Sequence, residues 1–299
     1  MRKGVGFVLA AVGAFLFVLG LLGQFWAPDH VMKTPIDVNS TTRLEGQAEL
    51  ADGTGGTSQF PVRATSITHA DSEKSDGEVV AFDTSSCLFK NERAFSGDCP
   101  SINSGDVLSA STDAFATDRT SAEAVNEQKY LPAGSEQHAG LINKWPFEPA
   151  KKTYQYWDGT AGKAVDATYD GTQTIDGVKT YAYHVVVPDV AAEISNGVQG
   201  TYSYDGKVWV DKVTGAIIDQ KFKQTRLDTA GDPFLLLDLG YTSEQVKKNA
   251  DDAKSNATSL ALVQKWIPLA GWVVGLPLLV IGIVVLLLAF RGAGAHRQA

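Results

Sequence analysis

The sequence predicts an α+β protein anchored in a membrane, in which an antiparallel-β-rich exported domain lies between N- and C-terminal transmembrane helices. A long, uncharged apolar run lies near each end of the 299-residue chain. Between them, Asp-Gly pairs punctuate short stretches rich in Val, Tyr, Thr and Ile, a pattern typical of β-hairpins. All 34 acidic residues lie in this middle segment, which is therefore negatively charged, whereas the two ends carry Arg and Lys but no acidic residue.

The first apolar run, residues 4–27, predicts a transmembrane helix that follows a short cytoplasmic N-terminus, residues 1–3. Arg2 and Lys3 precede the run, as basic residues do in a secretory signal peptide. The apolar stretch is longer than a signal peptide needs, and no Ala-x-Ala cleavage site follows it. We therefore expect an uncleaved anchor, with cleavage as the alternative.

The second apolar run, residues 266–290, is long enough to cross a hydrocarbon core of about 30 Å. A tail of residues 291–299 follows it and carries Arg291 and Arg297. Basic residues thus flank the outer ends of both runs, which places both termini in the cytoplasm by the positive-inside rule. Residues 28–265 are then extracytoplasmic, and the protein resides in the cell membrane.

Small residues recur at intervals of seven or four along both apolar runs. Such spacing places them on one ridge of a helix, where a second helix can approach closely. We expect the two helices to pack as an antiparallel pair; the alternative is that glycine is simply common in membrane helices. The predicted packing residues are Gly6, Gly13, Gly20, Gly271, Gly275 and Gly282.

The exported segment is predicted to consist of two β-rich lobes, residues 28–139 and 160–241, joined by residues 140–159. The second lobe is a β-meander, and residues 242–265 form a juxtamembrane helix. Within the first lobe, Thr120 and Glu123 have the spacing of a capping box, which predicts a short helix ending near Tyr130.

The junction, residues 140–159, has the highest aromatic density of the exported segment. Two interpretations remain open: its aromatic side chains form a core wedge between the lobes, or they contact a hydrophobic ligand. The predicted ligand-binding residues are Trp145, Phe147, Tyr154, Tyr156 and Trp157.

Cys87 and Cys99 are the two cysteines of the chain, and both lie in the exported segment. An oxidising compartment favours a disulfide between them, with two buried free thiols as the alternative. Two thiols without a nearby histidine fall short of the four ligands of a structural zinc site, so the sequence predicts no metal here.

Charge and motif content exclude several classes of function. The net charge is −8, without the clustered Lys and Arg that nucleic acid requires. The five histidines share no ligand spacing, and neither a metalloprotease nor a serine-hydrolase motif is present. We therefore expect no catalytic residues, no metal and no cofactor, and we predict that the protein is not an enzyme.

A combination of short motifs runs along most of the chain. They are Asp118-Arg119-Thr120, Gly140-Leu141, Trp145-Pro146-Phe147, Lys152-Thr153-Tyr154, Trp157-Asp158, Asp176-Gly177 with Tyr181, and Trp209-Val210 with Thr214-Gly215. Together with the two terminal anchors, this combination resembles an actinobacterial family of envelope membrane proteins labelled the porin PorA family. The label implies a channel, and the resemblance carries over no catalytic residues.

The meander of the second lobe resembles the LolA-like half-barrel of lipid-carrier domains, which implies two half-barrel lobes with a concave apolar face. We predict a cell-envelope protein whose exported domain binds or relays a lipid, a glycolipid or another hydrophobic ligand. One alternative is a non-enzymatic scaffold or receptor that contacts an envelope protein or a second copy of itself. The other is the channel that the family label implies.

Overall fold

The computed structural model describes residues 2–53, 55–91 and 97–295 of the chain. The chain divides into two compact units. One is helical and comprises Met1–Lys33 with Ser255–Ala299; the other is β-rich and comprises Thr34–Lys254.

The described residues form two helical stretches that π turns interrupt, and the second begins in the β-rich unit, at Ser243. The first stretch consists of α1 (Arg2–Leu21), a π turn (Leu22–Trp26) and α2 (Ala27–Val31). The second runs from α3 (Ser243–Ala261) through a π turn (Leu262–Trp266), α4 (Ile267–Ala270) and a π turn (Gly271–Gly275) to α5 (Leu276–Ala295). Lys3–Val31 and Ser243–Arg291 are long and apolar enough to cross a membrane. The predicted runs 4–27 and 266–290 lie within them.

Each π turn ends two residues before a proline, namely Pro28, Pro268 or Pro277. Proline has no amide hydrogen, and its ring collides with the carbonyl group four residues earlier in an α-helix. In the wider π turn, a backbone amide bonds to the carbonyl five residues earlier and not to the carbonyl four residues earlier. The amide of Ala27, for example, donates to the carbonyl of Leu22. The prolines therefore explain where the two stretches depart from α-helical geometry.

The β-rich unit contains ten strands in one antiparallel sheet of order β4-β3-β2-β1-β10-β9-β8-β7-β6-β5. Their bounds are β1 Asn39–Ala51, β2 Thr57–Asp71, β3 Val79–Lys90, β4 Val107–Asp118, β5 Tyr154–Asp158, β6 Lys163–Ile175, β7 Val178–Ser195, β8 Val198–Asp211, β9 Ile217–Leu227 and β10 Pro233–Tyr241.

The structure does not confirm two LolA-like lobes, because the strands of both predicted lobes belong to this single sheet. The pairing of β1 with β10 joins them: Leu44 lies opposite Tyr241, and Leu50 lies opposite Leu235. Local turn signals reveal hairpins, but they carry no information about which distant strands pair. The supported architecture is one large half-barrel sheet with apolar helices at both ends of the chain.

The edge strands β4 and β5 are connected through isolated β-bridges. Thr117 of β4 pairs with Ala124, Glu123 pairs with Leu141, and Leu141 pairs with Tyr156 of β5. The backbone of Leu141 therefore accepts from Trp157 and donates to Gln155, at 2.7 and 2.8 Å. Residues 123–141 thus cross from one edge of the half-barrel to the other.

The capping-box helix predicted from Thr120 to about Tyr130 is wrong. Asp118 Oδ1 accepts from the amides of Thr120 and Ser121, at 3.0 and 2.7 Å, and so closes a turn. Ala122 then adopts a left-handed φ of 61°, which a right-handed helix does not allow. The chain returns to β4, where Ala124 pairs with Thr117.

The Asp-Gly pairs mark three different structures. Asp176 and Gly177 form the β6–β7 hairpin turn, with positive φ values of 43° and 81° as a type I′ turn requires. Gly171, at a φ of 117°, lies where the β6–β7 register shifts, so it forms a bulge. Gly206 lies inside the continuous strand β8, opposite Val185 and Phe222.

Apolar residues cover both faces of the sheet. One face carries two clusters that share Phe222 and Phe234, so its core is continuous across the sheet from β3 to the edge strand β5. On the other face, the first half of α3 packs Ala250 and Ala253 against Val178 of β7. Both alanines are almost fully buried, as the helical spacing of residues 242–265 predicts.

Candidate functional site

Trp145, the centre of the aromatic junction, lies in the core of the half-barrel. Its side chain is fully buried and stacks on Tyr156 and Tyr183, with ring centroids 5.1 Å away in each case. Its backbone amide donates to the carbonyl of Gly215, at 2.9 Å. Gly215 has a φ of 73°, and a Cβ there would overlap the carbonyl oxygens of Trp145 and Pro146. Only glycine allows this close approach of the two backbones.

Tyr154 belongs to the same buried cluster. Its hydroxyl accepts from the amide of Ala150 at 2.8 Å, and the Tyr183 hydroxyl donates to the carbonyl of Ala150 at 2.8 Å. The two tyrosine hydroxyls thus bond both the amide and the carbonyl of Ala150. The polar end of each tyrosine is satisfied within the protein, so the pair serves to fix the junction on the sheet.

The other three predicted ligand-binding residues are half-buried and face different neighbours. Phe147 lies under the ammonium of Lys144, 3.8 Å from its ring centroid, and Trp157 lies 4.9 Å from the ring of His138. Burial of the phenol end of Tyr156 raises its pKa to about 12. None of the five aromatic side chains lines any of the three cavities described in the structure. Their placement favours the core interpretation over a lipid-binding surface.

The two cysteines are bonded to each other. Cys87 lies on β3, and its Cα is 6.0 Å from that of Cys99. Beside the disulfide, Arg43 Nη2 of β1 lies 2.6 Å from Asp98 Oδ1, which attaches the same loop to a second strand. The disulfide thus closes a loop that includes residues 92–96, which lie outside the described part of the chain.

The structure brings the six predicted packing glycines to the contact between the two apolar helices. A Cβ on Gly13 would overlap the backbone nitrogen of Leu279, and one on Gly282 would overlap that of Ala10. Gly20 and Gly271 face each other: a Cβ on Gly20 would lie 2.8 Å from the Cα of Gly271. The remaining two residues have the same role, since a Cβ on Gly6 or Gly275 would lie 3.0 Å from Val285 Cγ1 or 2.7 Å from Phe17 N.

The outer faces of this helix pair are apolar and exposed. Examples on α1 are Val5, Phe7, Val8 and Phe15, and examples on α5 are Val280, Ile281, Leu287 and Leu288. Between the helices, Trp272 Nε1 donates to Gln24 Oε1 at 2.7 Å, so this polar pair is satisfied inside the unit. The exposed faces match the apolar surface that a lipid bilayer or another copy of the helix pair would cover.

One cluster of metal-ligating side chains was missed by the sequence analysis. Asp113, Glu136 and His138 offer ligand atoms that all lie within 4.8 Å of one another. Asp113 lies on β4, whereas Glu136 and His138 lie in the segment that crosses between the sheet edges. No fixed ligand spacing relates a strand residue to a distant loop, so no local signal could reveal the cluster.

The His138 imidazole makes a close hydrogen bond to Asp113, with 2.9 Å between Nε2 and Oδ2. Burial by itself lowers the pKa of His138, but the Asp113 carboxylate raises it, and the net pKa lies above the usual value. His138 in turn holds the pKa of Asp113 below its usual range. The pair is therefore an ion pair when the imidazole is protonated.

Comparison with known proteins gives a match that spans both units. The sequence profile of the family described as Porin PorA matches residues 5–284. A Porin PorA from Corynebacterium amycolatum is 24% identical over 285 residues, which cover 81% of this chain and 72% of that relative. The matched region includes all ten strands and most of each apolar helical stretch, and it ends within α5. The chain therefore belongs to the PorA porin family.

Proposed function

We propose that this chain is a membrane protein of the cell envelope that forms a channel when several copies assemble. The observation that carries the proposal is the family match over residues 5–284, which covers most of two helical stretches able to cross a membrane. The name of the family implies an envelope channel. This proposal replaces lipid binding as the favoured function, since the aromatic junction lies in the core and not in a ligand cavity.

The need for several copies follows from the geometry of the helical unit. A pair of helices in close contact has no interior, and the Gly13–Leu279 contact excludes even a methyl group. A conducting path must then lie between helix pairs of neighbouring copies. Its wall would be built from the apolar outer faces, and a pore of this kind gates by wetting and dewetting. The partner in this proposal is a second copy of the chain, and no catalytic step is assigned to it.

The proposal includes a topology with both termini in the cytoplasm and residues 28–265 outside. Two features support it. Arg2, Lys3, Arg291 and Arg297 flank the outer ends of the helices. Within the helical unit, Lys3 Nζ lies 4.7 Å from the ring centroid of Phe290, so the start of α1 and the end of α5 meet at the same end of the pair.

Conductance of the purified full-length protein in planar lipid bilayers tests the proposal. We expect discrete current steps whose frequency rises more steeply than linearly with protein concentration, because an assembly must form first. Gly13→Leu should abolish the steps, since the larger side chain separates the helices. Gly4→Leu is the matched control: nothing lies within 4 Å of a Cβ at Gly4, so conductance should persist.

Two outcomes would overturn the proposal. One is the absence of current above the lipid background while flotation of the vesicles shows that the protein is incorporated. The other is equal conductance of the Gly13→Leu and Gly4→Leu variants, which would show that the steps do not depend on the helix pair. If lipid co-purifies with the protein in native mass spectra and the bilayers show no current, lipid binding becomes the favoured function.

A further inference from the structure

We propose that Asp113, Glu136 and His138 bind one divalent transition-metal ion, with Zn²⁺ as the best fit. The three side chains meet where residues 123–141 pass the edge strand β4. Nothing in the channel proposal uses them, so the inference stands independently of it.

The His138 side chain is held in position for such a role. Its backbone amide donates to Asn126 Oδ1 at 3.0 Å, and Asn126 Nδ2 donates to the carbonyl of His138 at 2.7 Å. The imidazole lies between Phe115 and Trp157, with centroid distances of 6.0 and 4.9 Å. Its side chain is 1% exposed, while Nε2 points at Asp113. A ligand that is fixed before the metal arrives loses little conformational freedom on binding.

The other side of the cluster is open to solvent. A cavity of about 600 Å³ is lined by Asp113, Glu136 and the preceding residues Pro132–Ser135. Asp113 is partly exposed and Glu136 is exposed. An ion can therefore enter from this cavity, and a water molecule can complete its coordination shell.

The chemistry of the three ligands selects the class of metal. One imidazole nitrogen and two carboxylates suit Zn²⁺, which accepts mixed nitrogen and oxygen ligands and four-coordinate geometry. Ca²⁺ and Mg²⁺ prefer oxygen ligands alone. Tetrahedral Zn²⁺ with bonds of about 2.0–2.2 Å requires ligand atoms roughly 3.4 Å apart. The present separations are within 4.8 Å. His138 Nε2 and Asp113 Oδ2 are 2.9 Å apart and must separate slightly, and a rotation of the exposed Glu136 side chain can bring the third ligand closer.

Metal binding would take the place of the hydrogen bond between His138 Nε2 and Asp113 Oδ2, because both groups would become ligands. The bound ion would then attach the segment carrying Glu136 and His138 to β4. We infer a structural role for the ion, since it would fix the chain at the point where it crosses between the edges of the half-barrel.

A second histidine–aspartate pair provides an internal comparison. His184 Nε2 lies 2.8 Å from Asp205 Oδ1, nearly the same separation as in the His138 pair. This pair is more exposed, and among the residues that the structure describes it has no third ligand in range. It should therefore bind no metal.

Calorimetric titration of the full-length protein in detergent with ZnCl₂, after removal of metals with a chelator, tests the inference. We expect one Zn²⁺ per chain. Loss of an outer-shell partner weakens metal sites by about 10–100-fold, so Glu136→Gln, which removes a direct ligand, should weaken binding at least about tenfold. His184→Ala should bind as the wild type does. Because Glu136 is exposed, its variant should keep the circular dichroism spectrum of the metal-free protein.

A second ligand variant distinguishes this site from adventitious surface binding. Asp113→Asn should weaken Zn²⁺ binding at least about tenfold, as Glu136→Gln does, because it also removes a direct ligand. The inference is overturned if the wild type gives only heats of dilution. It is also overturned if Glu136→Gln binds as tightly as the wild type, or if His184→Ala weakens binding as much as Glu136→Gln.

Discussion

Replacement of Gly13 by alanine should destabilise the helix pair by about 1–2 kcal/mol. The added Cβ would overlap the backbone nitrogen of Leu279 and lie 2.7 Å from its Cα, so the helices must separate. Overpacking costs typically 1–3 kcal/mol, and overlap with backbone atoms, which cannot rotate away, places this site at about 2–3 kcal/mol. The higher helix propensity of alanine, about 1 kcal/mol in water, offsets part of it. The remaining loss corresponds to roughly a 5–30-fold change in the pairing equilibrium.

Gly4→Ala isolates the steric effect from the propensity effect. Nothing lies within 4 Å of a Cβ at Gly4, so that variant should be neutral or slightly stabilising. Pairing can be followed by the distance between spin labels at Val8 and Ile283, which are 59% and 44% exposed. The intact disulfide does not react with the labels.

The measurement is the mole fraction of sodium dodecyl sulfate at which half of the molecules lose the short spin–spin distance. We expect a lower midpoint for Gly13→Ala and an unchanged or higher midpoint for Gly4→Ala. Equal midpoints for the two variants would refute the reasoning, because the close backbone contact would then contribute nothing to pairing.

Three further predictions concern the β-rich unit. Joint replacement of Cys87 and Cys99 by serine should lower the free energy of unfolding by about 3 kcal/mol, as urea denaturation would show; an unchanged midpoint would contradict it. Trp145→Ala should lower the free energy of unfolding by about 3–5 kcal/mol in the same assay, because the side chain is fully buried. A variant as stable as the wild type would place Trp145 outside the core. For metal-free protein, the raised pKa of His138 means that its pair with Asp113 stabilises the fold fully below about pH 6.5 and loses this contribution as pH rises through that pKa. Urea midpoints at pH 6 and pH 8 should therefore differ less for Asp113→Asn than for the wild type, and an equal difference would exclude the pair as the cause.

Local sequence signals predict the apolar helices and the β-rich character of the exported segment. Heptad spacing of glycines such as Gly13 and Gly20 indicates a helix face, because helical periodicity converts sequence spacing into direction. The Asp176-Gly177 pair predicts a hairpin because its backbone conformation is a local property. In these cases, residues close in sequence determine the structure.

Properties that depend on distant residues are not predicted. Asp205-Gly206 has the same local signal, yet its place between β7 and β9 keeps it extended. The capping box predicted from Thr120 to Glu123 does not form, because Asp118 Oδ1 accepts from the Thr120 amide, which Glu123 would have capped, and from the Ser121 amide. The metal-ligating cluster around His138 depends on how the chain passes an edge strand, which no spacing rule describes.

The pairing of β1 with β10 has a consequence for the order in which this protein matures. Its partners, Leu44 and Tyr241 among them, lie at the beginning and the end of the β-rich unit. Long-range contacts of this kind form late, because a long loop must close before they contribute any stability. During synthesis, β1 can pair with β2 early, but it lacks its second neighbour, β10, until nearly the whole segment has emerged. We expect chains that end before β10 to be recognised and degraded as unfinished, so that the last strand acts as a check on completeness.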